Sequence, residues 1–178
     1  NPMPTTLEGP YMITAKNVVG GLVDYASARR TSREAFCTLL TDKSRPEVGD
    51  VLLTKDGTLG RVAVVDRTDV CINQSVALLR PNGRMNPDFM RLLLSSSSYQ
   101  KRMIADAGGA TIKHIYITRV DKMPVTFPES LDDQLRVVSE LHGVADETQC
   151  LTRLYERKRD ALVALKKSLL HQAFSGEL

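Results

Sequence analysis

Tryptophan is absent from the sequence, and aromatic residues of every kind are few. Phe, Trp and Tyr together make up 5% of the 178 residues. Because proteins that bind single-stranded nucleic acid stack the bases on aromatic rings, this composition argues against that class. The sequence also has no apolar run near the roughly 18 residues that a transmembrane helix requires. We therefore expect a protein without a membrane span.

Cysteine is scarce as well. The three cysteines, Cys37, Cys71 and Cys150, are widely spaced and form no Cys-x-x-Cys pair. An odd number without that spacing argues against a disulfide framework and against a zinc site, and it favours a reducing cytoplasm. We expect all three to be buried and to act as small hydrophobic side chains.

Residues of catalytic type do not occur in the patterns that catalytic sites need. Asn86–Phe89 matches the Asn-Pro-Pro-Tyr loop of adenine methyltransferases only in part, and no Gly-rich nucleotide loop follows a strand. Glu156–Lys158 has the Glu-x-Lys spacing of some nucleases but falls within a helical pattern. Gly57–Gly60 lacks the Lys-Ser/Thr of a phosphate-binding loop, and the histidines have no convincing ligand partners. We expect a non-catalytic protein that needs neither a cofactor nor a metal.

Apolar residues, by contrast, are plentiful enough to build a folded core. They make up 42% of the chain, and 178 residues suit one domain of ordinary size plus an appendage. The formal net charge is +3, and the positive excess lies in residues 1–130, with 17 Lys and Arg against 13 Asp and Glu. This mild excess is compatible with contact to a phosphate backbone but does not establish it.

Residues 1–129 alternate strand and helix signals, which predict a mixed α/β domain. Asp56-Gly57 separates two apolar runs and predicts a β-hairpin over Val51–Val65. Further segments with strand-like composition are Tyr11–Val23, with a turn at Gly20-Gly21, then Val70–Leu79 and Ile112–Val125. Residues that predict helix starts are Thr31, Asn86 and Ser97.

Residues 130–178 predict one long amphipathic helix that begins after a Ser130 cap. From Leu131 to Phe174 it would span about 66 Å at 1.5 Å per residue. Its apolar residues recur at the alternating spacing of three and four that is typical of a coiled coil, so we expect a partner helix. The alternative is that the stripe folds back on its own domain. The apolar residues of the seam are Leu141, Val144, Leu151, Tyr155, Leu162, Leu165 and Leu169.

Six segments occur in the same order as in one known family. They are Tyr11–Gly20, Gly49–Arg61, Ile72–Arg80, Gly109–Ile115, Leu131–Gln134 and Leu165–Leu178. By these segments, which cover nearly the whole chain, the sequence resembles the specificity subunit of Type I restriction-modification enzymes. One position departs from the family pattern, because Asp133 stands where a Glu before Gln134 is usual.

The resemblance implies an α+β fold with a target recognition domain at 1–129 and a conserved spacer helix at 130–178. It also implies a subunit without catalysis of its own, in a bacterial or archaeal cytoplasm, that binds double-stranded DNA. Methyltransferase and restriction subunits would dock on it. A full subunit carries two recognition domains and two such helices, whereas this sequence has one of each. We expect half a subunit, either a natural half that forms a homodimer through its helix or a fragment of a longer protein.

Loop and hairpin residues with hydrogen-bonding side chains are the candidates for DNA contact. Arg and Lys suit phosphates or guanine edges, whereas Asn suits adenine. The competing explanation for each is turn geometry or a solvated strand end. Asn73 and Gln74 are expected to brace the fold instead. The predicted contacts are Lys16, Asn17, Lys55, Thr58, Arg61, Thr111, Lys113 and His114.

A second function class also fits the sequence. The front domain would bind a protein, and the helix would only oligomerise the chain. Salt-dependent DNA binding distinguishes the two classes, because phosphate contacts weaken steeply as salt rises.

Overall fold

The structure, a computed structural model, describes residues 4–105 and 113–176. The chain divides into two compact units, Asn1–Leu135 and Arg136–Leu178, and each is described by itself. Small mixed sheets, short helices and a long C-terminal helix make the fold α+β, as predicted. Among the described residues, no helix combines the length and the apolar character needed to cross a bilayer.

The described strands are short and fall in the first half of the chain. They are β1 (Thr6–Ile13), β2 (Val18–Val19), β3 (Leu22–Val23), β4 (Arg29–Arg30), β5 (Val51–Thr54), β6 (Val62–Val64), β7 (Val70–Ile72) and β8 (Val76–Leu79). The described α-helices are α1 (Arg33–Thr38), α2 (Pro87–Ser95), α3 (Ser97–Ala105), α4 (Ile117–Val120) and α5 (Leu131–Ser175).

The described strands form three small sheets. In the first, β1 pairs antiparallel with β4 and parallel with β7. In the second, β2 and β3 pair across the predicted turn at Gly20-Gly21. The strand predicted from Tyr11 to that turn is wrong in part, because the 3-10 turn Ala15–Asn17 interrupts it and its first residues belong to β1. In the third, β5 lies between β6 and β8 and is antiparallel to both. The predicted hairpin at Asp56-Gly57 is therefore confirmed as β5–β6.

Strand β5 is shared by two hydrophobic clusters. Leu52 packs in a cluster with Ile13 and Val70, whereas Val51 and Leu53 pack in the other. All three β5 residues have no exposed surface. Because successive side chains of a strand point to opposite faces, an uninterrupted apolar run is what a strand covered on both faces requires. The β5–β6 turn is thus anchored by a strand that is buried on both faces.

The predicted single strand at Val70–Leu79 is wrong in one respect, because it is two strands in different sheets. The carboxamide oxygen of Asn73 accepts hydrogen bonds from the backbone N–H of Ser75 at 3.1 Å and from its hydroxyl at 2.6 Å. An Asn side chain that bonds the backbone two residues on favours a turn over a continuing strand. The chain therefore turns between Ile72 and Val76.

The extended segment predicted over Ile112–Val125 is also wrong in part. Its middle forms the one-turn helix α4, and Ile117 and Val120 pack against the second cluster. These residues are three apart, so one helical turn brings both to the same face. Burial of that face outweighs their preference for strands.

Two helix starts are shifted from their predicted positions. In α1 the cap is Ser32, whose hydroxyl accepts from the N–H of Ala35 at 3.1 Å, whereas Thr31 is fully buried. In α3 the first helical residue is Ser97, so the cap falls one residue earlier than predicted. The Asn86 cap of α2 is confirmed by its bonds to the next two backbone N–H groups of the helix.

The long helix α5 runs unbroken through 45 residues, including Gly143. The Ser130 hydroxyl accepts from the N–H of Asp133 at 3.3 Å, which confirms the predicted cap. The seven residues of the predicted seam have between 46% and 67% of their surface exposed. The stripe is therefore accessible, and its pairing remains a prediction.

The expectation of three buried cysteines is correct for one of them. Cys71 is buried in β7, and burial raises the pKa of its thiol to about 11 because the thiolate would lose its hydration. Cys37 and Cys150 are exposed, and none of the three forms a disulfide. Cys37 lies on the solvent-facing side of α1 and Cys150 on that of α5, and the number and spacing of cysteines do not reveal on which side of a helix each one falls.

Candidate nucleic-acid interface

The turn between β5 and β6 is held in a defined shape by a buried threonine. The hydroxyl of Thr54 donates to the carbonyl of Thr58 and accepts from the N–H of Arg61 at 2.9 Å. Gly57 has a φ of +75°, a conformation that favours glycine. These bonds close the turn that carries Asp56, Gly57 and Thr58.

An open cleft of about 680 Å³ lies between this turn and the 3-10 turn at Ala15–Asn17. Three predicted contact residues line it, namely Lys16, Asn17 and Thr58. Lys16 and Thr58 are exposed, so both side chains are open to a ligand. The fold thus brings together two segments that are some forty residues apart in the sequence.

Asn17 differs from its neighbour because its side chain is used inside the protein. It is 5% exposed, and its carboxamide oxygen accepts from the backbone N–H of Thr14 at 3.0 Å and from its hydroxyl at 2.9 Å. Its amide nitrogen donates to the hydroxyl of Ser27 at 3.1 Å. With these bonds made, Asn17 holds the backbone that carries Lys16.

Asn73 braces the same wall of the cleft, as expected from the sequence. Its carboxamide holds Ser75, whose hydroxyl in turn accepts from the backbone N–H of Ala15 at 2.9 Å. The backbone N–H of Asn73 donates to the carbonyl of Ile13 at 3.1 Å. Gln74 is exposed, and the structure assigns it no bracing contact among the described residues.

The segment around His114 lies against the turn of the hairpin. His114 and Asp56 form an isolated antiparallel bridge, and the Nδ1 of His114 is hydrogen-bonded to the Oδ1 of Asp56. The N–H of Ile115 donates to the carbonyl of Lys55 at 3.0 Å. About a third of each side chain of the His114–Asp56 pair is exposed. Lys113, the residue before, is also exposed.

Arg61 and Thr111 complete the predicted set. Arg61 is exposed, but one of its guanidinium nitrogens donates to the carbonyl of Val18 at 3.1 Å. Part of its donor capacity therefore ties β2 to the hairpin. Thr111 lies outside the described residues.

Two charged residues of the cleft were not among the predicted contacts. Arg29 lines it from β4, and Asp56 lines it from the hairpin turn. The sequence signal for Arg29 is only its place in an Arg29-Arg30 pair after a small-residue loop. Asp56 was interpreted solely as a turn residue, because Asp-Gly is a frequent hairpin turn. The charged residues lining the cleft are Lys16, Arg29 and Asp56.

A second cleft of about 910 Å³ is rich in arginine but also in acids. The guanidinium of Arg30 lies 4.1 Å from the centre of the Tyr11 ring. Arg33 pairs with Asp69 at 2.5 Å, and the guanidinium holds the pKa of that carboxyl below its ordinary value. Because Glu8, Asp66 and Asp69 balance the three arginines, this surface has no clear attraction for a polyanion.

No group of three metal-binding side chains occurs in the part of the chain that the structure describes. The exposed cations Lys16 and Arg29 and the exposed hydroxyl of Thr58 can donate hydrogen bonds to phosphates or to base edges.

Residues 8–156 match the profile of a family described as the Type I restriction modification DNA specificity domain. The matched segment begins in β1 and ends within α5. A comparison with curated proteins finds no match.

Three solved structures share the fold. A structure described as concerning complex assembly and conformational transition of the type I R-M system has a TM-score of 0.68 and 20% identity, over 96% of this chain and 40% of that one. The S subunit from M. genitalium has a TM-score of 0.52 and 22% identity, over 88% of this chain and 37% of that one. The HsdS subunit from Thermoanaerobacter tengcongensis has a TM-score of 0.66 and 14% identity, over 83% of this chain and 38% of that one. This chain spans about 40% of the length of the first of these structures.

Proposed function

Because the chain belongs to the family of Type I restriction-modification DNA specificity domains, we propose that residues 1–129 bind target duplex DNA. Residues 130–178 then form the helix through which the chain pairs and docks methyltransferase and restriction subunits. The chain contributes sequence specificity and performs no catalysis of its own. The functional boundary proposed here falls a few residues before the division between the compact units at Leu135 and Arg136.

The cleft beside the β5–β6 turn carries this proposal. Lys16 and Thr58 line it, and His114 is hydrogen-bonded to Asp56, which also lines it, whereas Lys55 lines a different cleft beside Asp42 and Arg80. Lysines supply sequence-independent attraction to phosphates, whereas hydroxyl and imidazole groups can bond base edges. The hydrogen bonds of Thr54 to Thr58 and Arg61 hold the turn that carries Thr58 in one arrangement. Asn17 supports the interface from within and is not proposed to touch DNA.

The helix supports the assembly part of the proposal. Its seam is exposed along α5, and a seam with this spacing needs a partner helix. The similar structures are more than twice as long as this chain, which leaves room in such proteins for a second domain and helix. The partner is either a second copy of this chain or the other half of a longer protein.

The test of DNA binding is an equilibrium titration of labelled duplex at several salt concentrations, with and without a methyltransferase subunit. Affinity should fall steeply with salt. Lys16→Ala and Lys113→Ala should each weaken binding to all sequences alike. Each should also reduce the slope of log affinity against log salt by about 1, because one phosphate contact is lost.

The matched control is Lys101→Ala, which removes an exposed charge of α3 that does not line the cleft. It should leave the slope unchanged. If variants across Lys16, Lys55, Lys113 and His114 bind undiminished, the interface lies elsewhere. If the wild-type chain binds no duplex under either condition, the front domain is a protein-interaction module instead.

A further inference from the structure

The cleft proposed to receive DNA contains one carboxylate, Asp56, beside Lys16 and Arg29. A carboxylate near phosphates lowers affinity by repulsion, so its place in this cleft requires a reason. Its side chain is 31% exposed, and it lies in the β5–β6 turn, two residues after the end of β5. The carboxylate is therefore close enough to the surface to meet a ligand.

The turn does not need this carboxylate. Gly57 supplies the positive φ, and the hydroxyl of Thr54 closes the turn through Thr58 and Arg61. An Asp that stabilises a turn bonds nearby backbone N–H groups with its side chain. Within the described residues, the bond that the Asp56 carboxylate makes goes to the His114 ring, which is 58 residues away.

The His114 contact fixes the direction of the carboxylate. An ionised carboxylate only accepts hydrogen bonds, so the ring N–H at Nδ1 donates to Oδ1. The backbone of Asp56 is held at the same time, because its N–H donates to the carbonyl of Ser75 at 3.3 Å. Oδ1 and the backbone are thus restrained, while Oδ2 receives no bond within residues 4–105 and 113–176.

We propose that Asp56 reads a base: its Oδ2 accepts a hydrogen bond from the N4 amino group of a cytosine in the major groove. This inference rests on the proposed function of the cleft. Asp and Glu pair with cytosine N4 because that amino group has an acceptor on one side only. The adenine amino group lies between two acceptors, which repel a carboxylate. Guanine and thymine present only acceptors to hydrogen-bonding groups in the major groove. Opposite either base the Asp56 carboxylate would have no donor, and this cost discriminates against both.

The test is selection of binding sites from a random duplex pool with the wild-type chain and two variants. The wild-type chain should select cytosine at one position of its site. Asp56→Asn should shift that one position toward adenine, because a carboxamide can bond adenine N6 and N7 together. Asp56→Ala should lose preference at that position by about tenfold while binding random duplex at least as tightly as before.

Asp42→Asn is the matched control, since it removes the same charge from an exposed residue outside the cleft lining. It should leave every position of the selected site unchanged. If all four proteins select the same site, the assignment of Asp56 is wrong although DNA binding stands. If the wild-type chain, with a methyltransferase subunit present, selects no site at all, the proposed function itself fails. Thermal unfolding checks each variant, and should Asp56→Ala not fold, Asp56→Asn decides, because it keeps an oxygen for the His114 bond.

Discussion

Individual polar residues of the first unit divide between holding the fold and facing solvent, and burial separates the two groups. Asn17 and Lys16 are neighbours in one 3-10 turn, yet the first is buried with its carboxamide bonded and the second is exposed. Both were predicted to contact DNA. A hydrogen-bonding side chain in a loop suits either role, and only its surroundings decide which role it has.

Replacement of Asn17 by alanine tests this division. Asn17→Ala leaves the N–H and the hydroxyl of Thr14 without their acceptor, whereas the Ser27 hydroxyl keeps its bond to Asp24, so we expect the free energy of unfolding to fall by about 1–3 kcal/mol. Urea unfolding measures this loss. At temperatures where the variant stays folded, its DNA affinity should fall no further than that of Lys16→Ala, because Asn17 acts only through the backbone that carries Lys16. A stable Asn17→Ala chain with much weaker DNA binding would return Asn17 to the contact set.

At the level of elements, patterns within a few residues predicted several strands and helix starts correctly. The predictions failed where contacts between distant segments determine the local structure. The apolar run of β5 and the Asp56-Gly57 turn gave the hairpin, and Asn86 capped α2 as expected. The helix α4 was missed, because burial against the second cluster is not visible in a strand-like composition. The first turn of α5 is likewise fixed by a residue whose importance the sequence did not reveal, Gln134.

Gln134 is fully buried and bonds three backbone groups of the first unit. Its oxygen accepts from the N–H of Asn86 at 2.7 Å, and its nitrogen donates to the carbonyls of Arg84 at 2.9 Å and Pro128 at 2.7 Å. These bonds join the start of α5 to the start of α2. The residue therefore fixes the first turn of α5, which belongs to the first unit.

We expect Gln134→Glu to destabilise the first unit more than Gln134→Ala does. Alanine leaves one N–H and two carbonyls without partners, at about 1–3 kcal/mol each. The glutamate also leaves both carbonyls without a donor and in addition sets a buried charge against them, which costs several kcal/mol more. Thermal unfolding followed by circular dichroism measures both. Asp132→Asn, a change at an exposed residue of the same helical turn, is the control. Equal stabilities for the glutamate and alanine variants would mean that the site admits water.

At the scale of the whole molecule, a domain with a mildly basic cleft is joined in sequence to a helix with an unpaired apolar seam. The family match covers both, since it extends from residue 8 into α5. The similar structures are more than twice as long as this chain, so one copy of it spans less than half of such a protein. Symmetric pairing of two helices would supply two reading domains related by a two-fold axis.

Replacement of two seam residues tests the pairing. Leu162→Asp combined with Leu165→Asp places like charges in an apolar seam, and we expect a chain of dimeric mass to become monomeric in light scattering. The control is Gln149→Asp with Arg153→Asp, exposed residues outside the predicted seam, which should keep the wild-type mass. A dimer that survives the seam changes would exclude the helix as the interface. A wild-type chain that is already monomeric would leave the other half of a longer protein as the partner.

The sequence by itself determined the features that depend on near neighbours along the chain. Heptad spacing gave the long helix and its exposed seam, alternation and turn residues gave the hairpin, and six ordered segments gave the family. The physical reason is that helix periodicity, capping and turns are local properties.

Only the tertiary structure decided which side chains share the cleft and what each one does there. Asp56 bonds His114 across 58 positions, and Asn17 turns inward while Lys16 faces out. A polar side chain takes its role from the partners that packing brings within about 3 Å, and those partners come from distant segments. For this reason the sequence indicated only a turn at Asp56, and the proposal that it contacts a base depends on the folded structure.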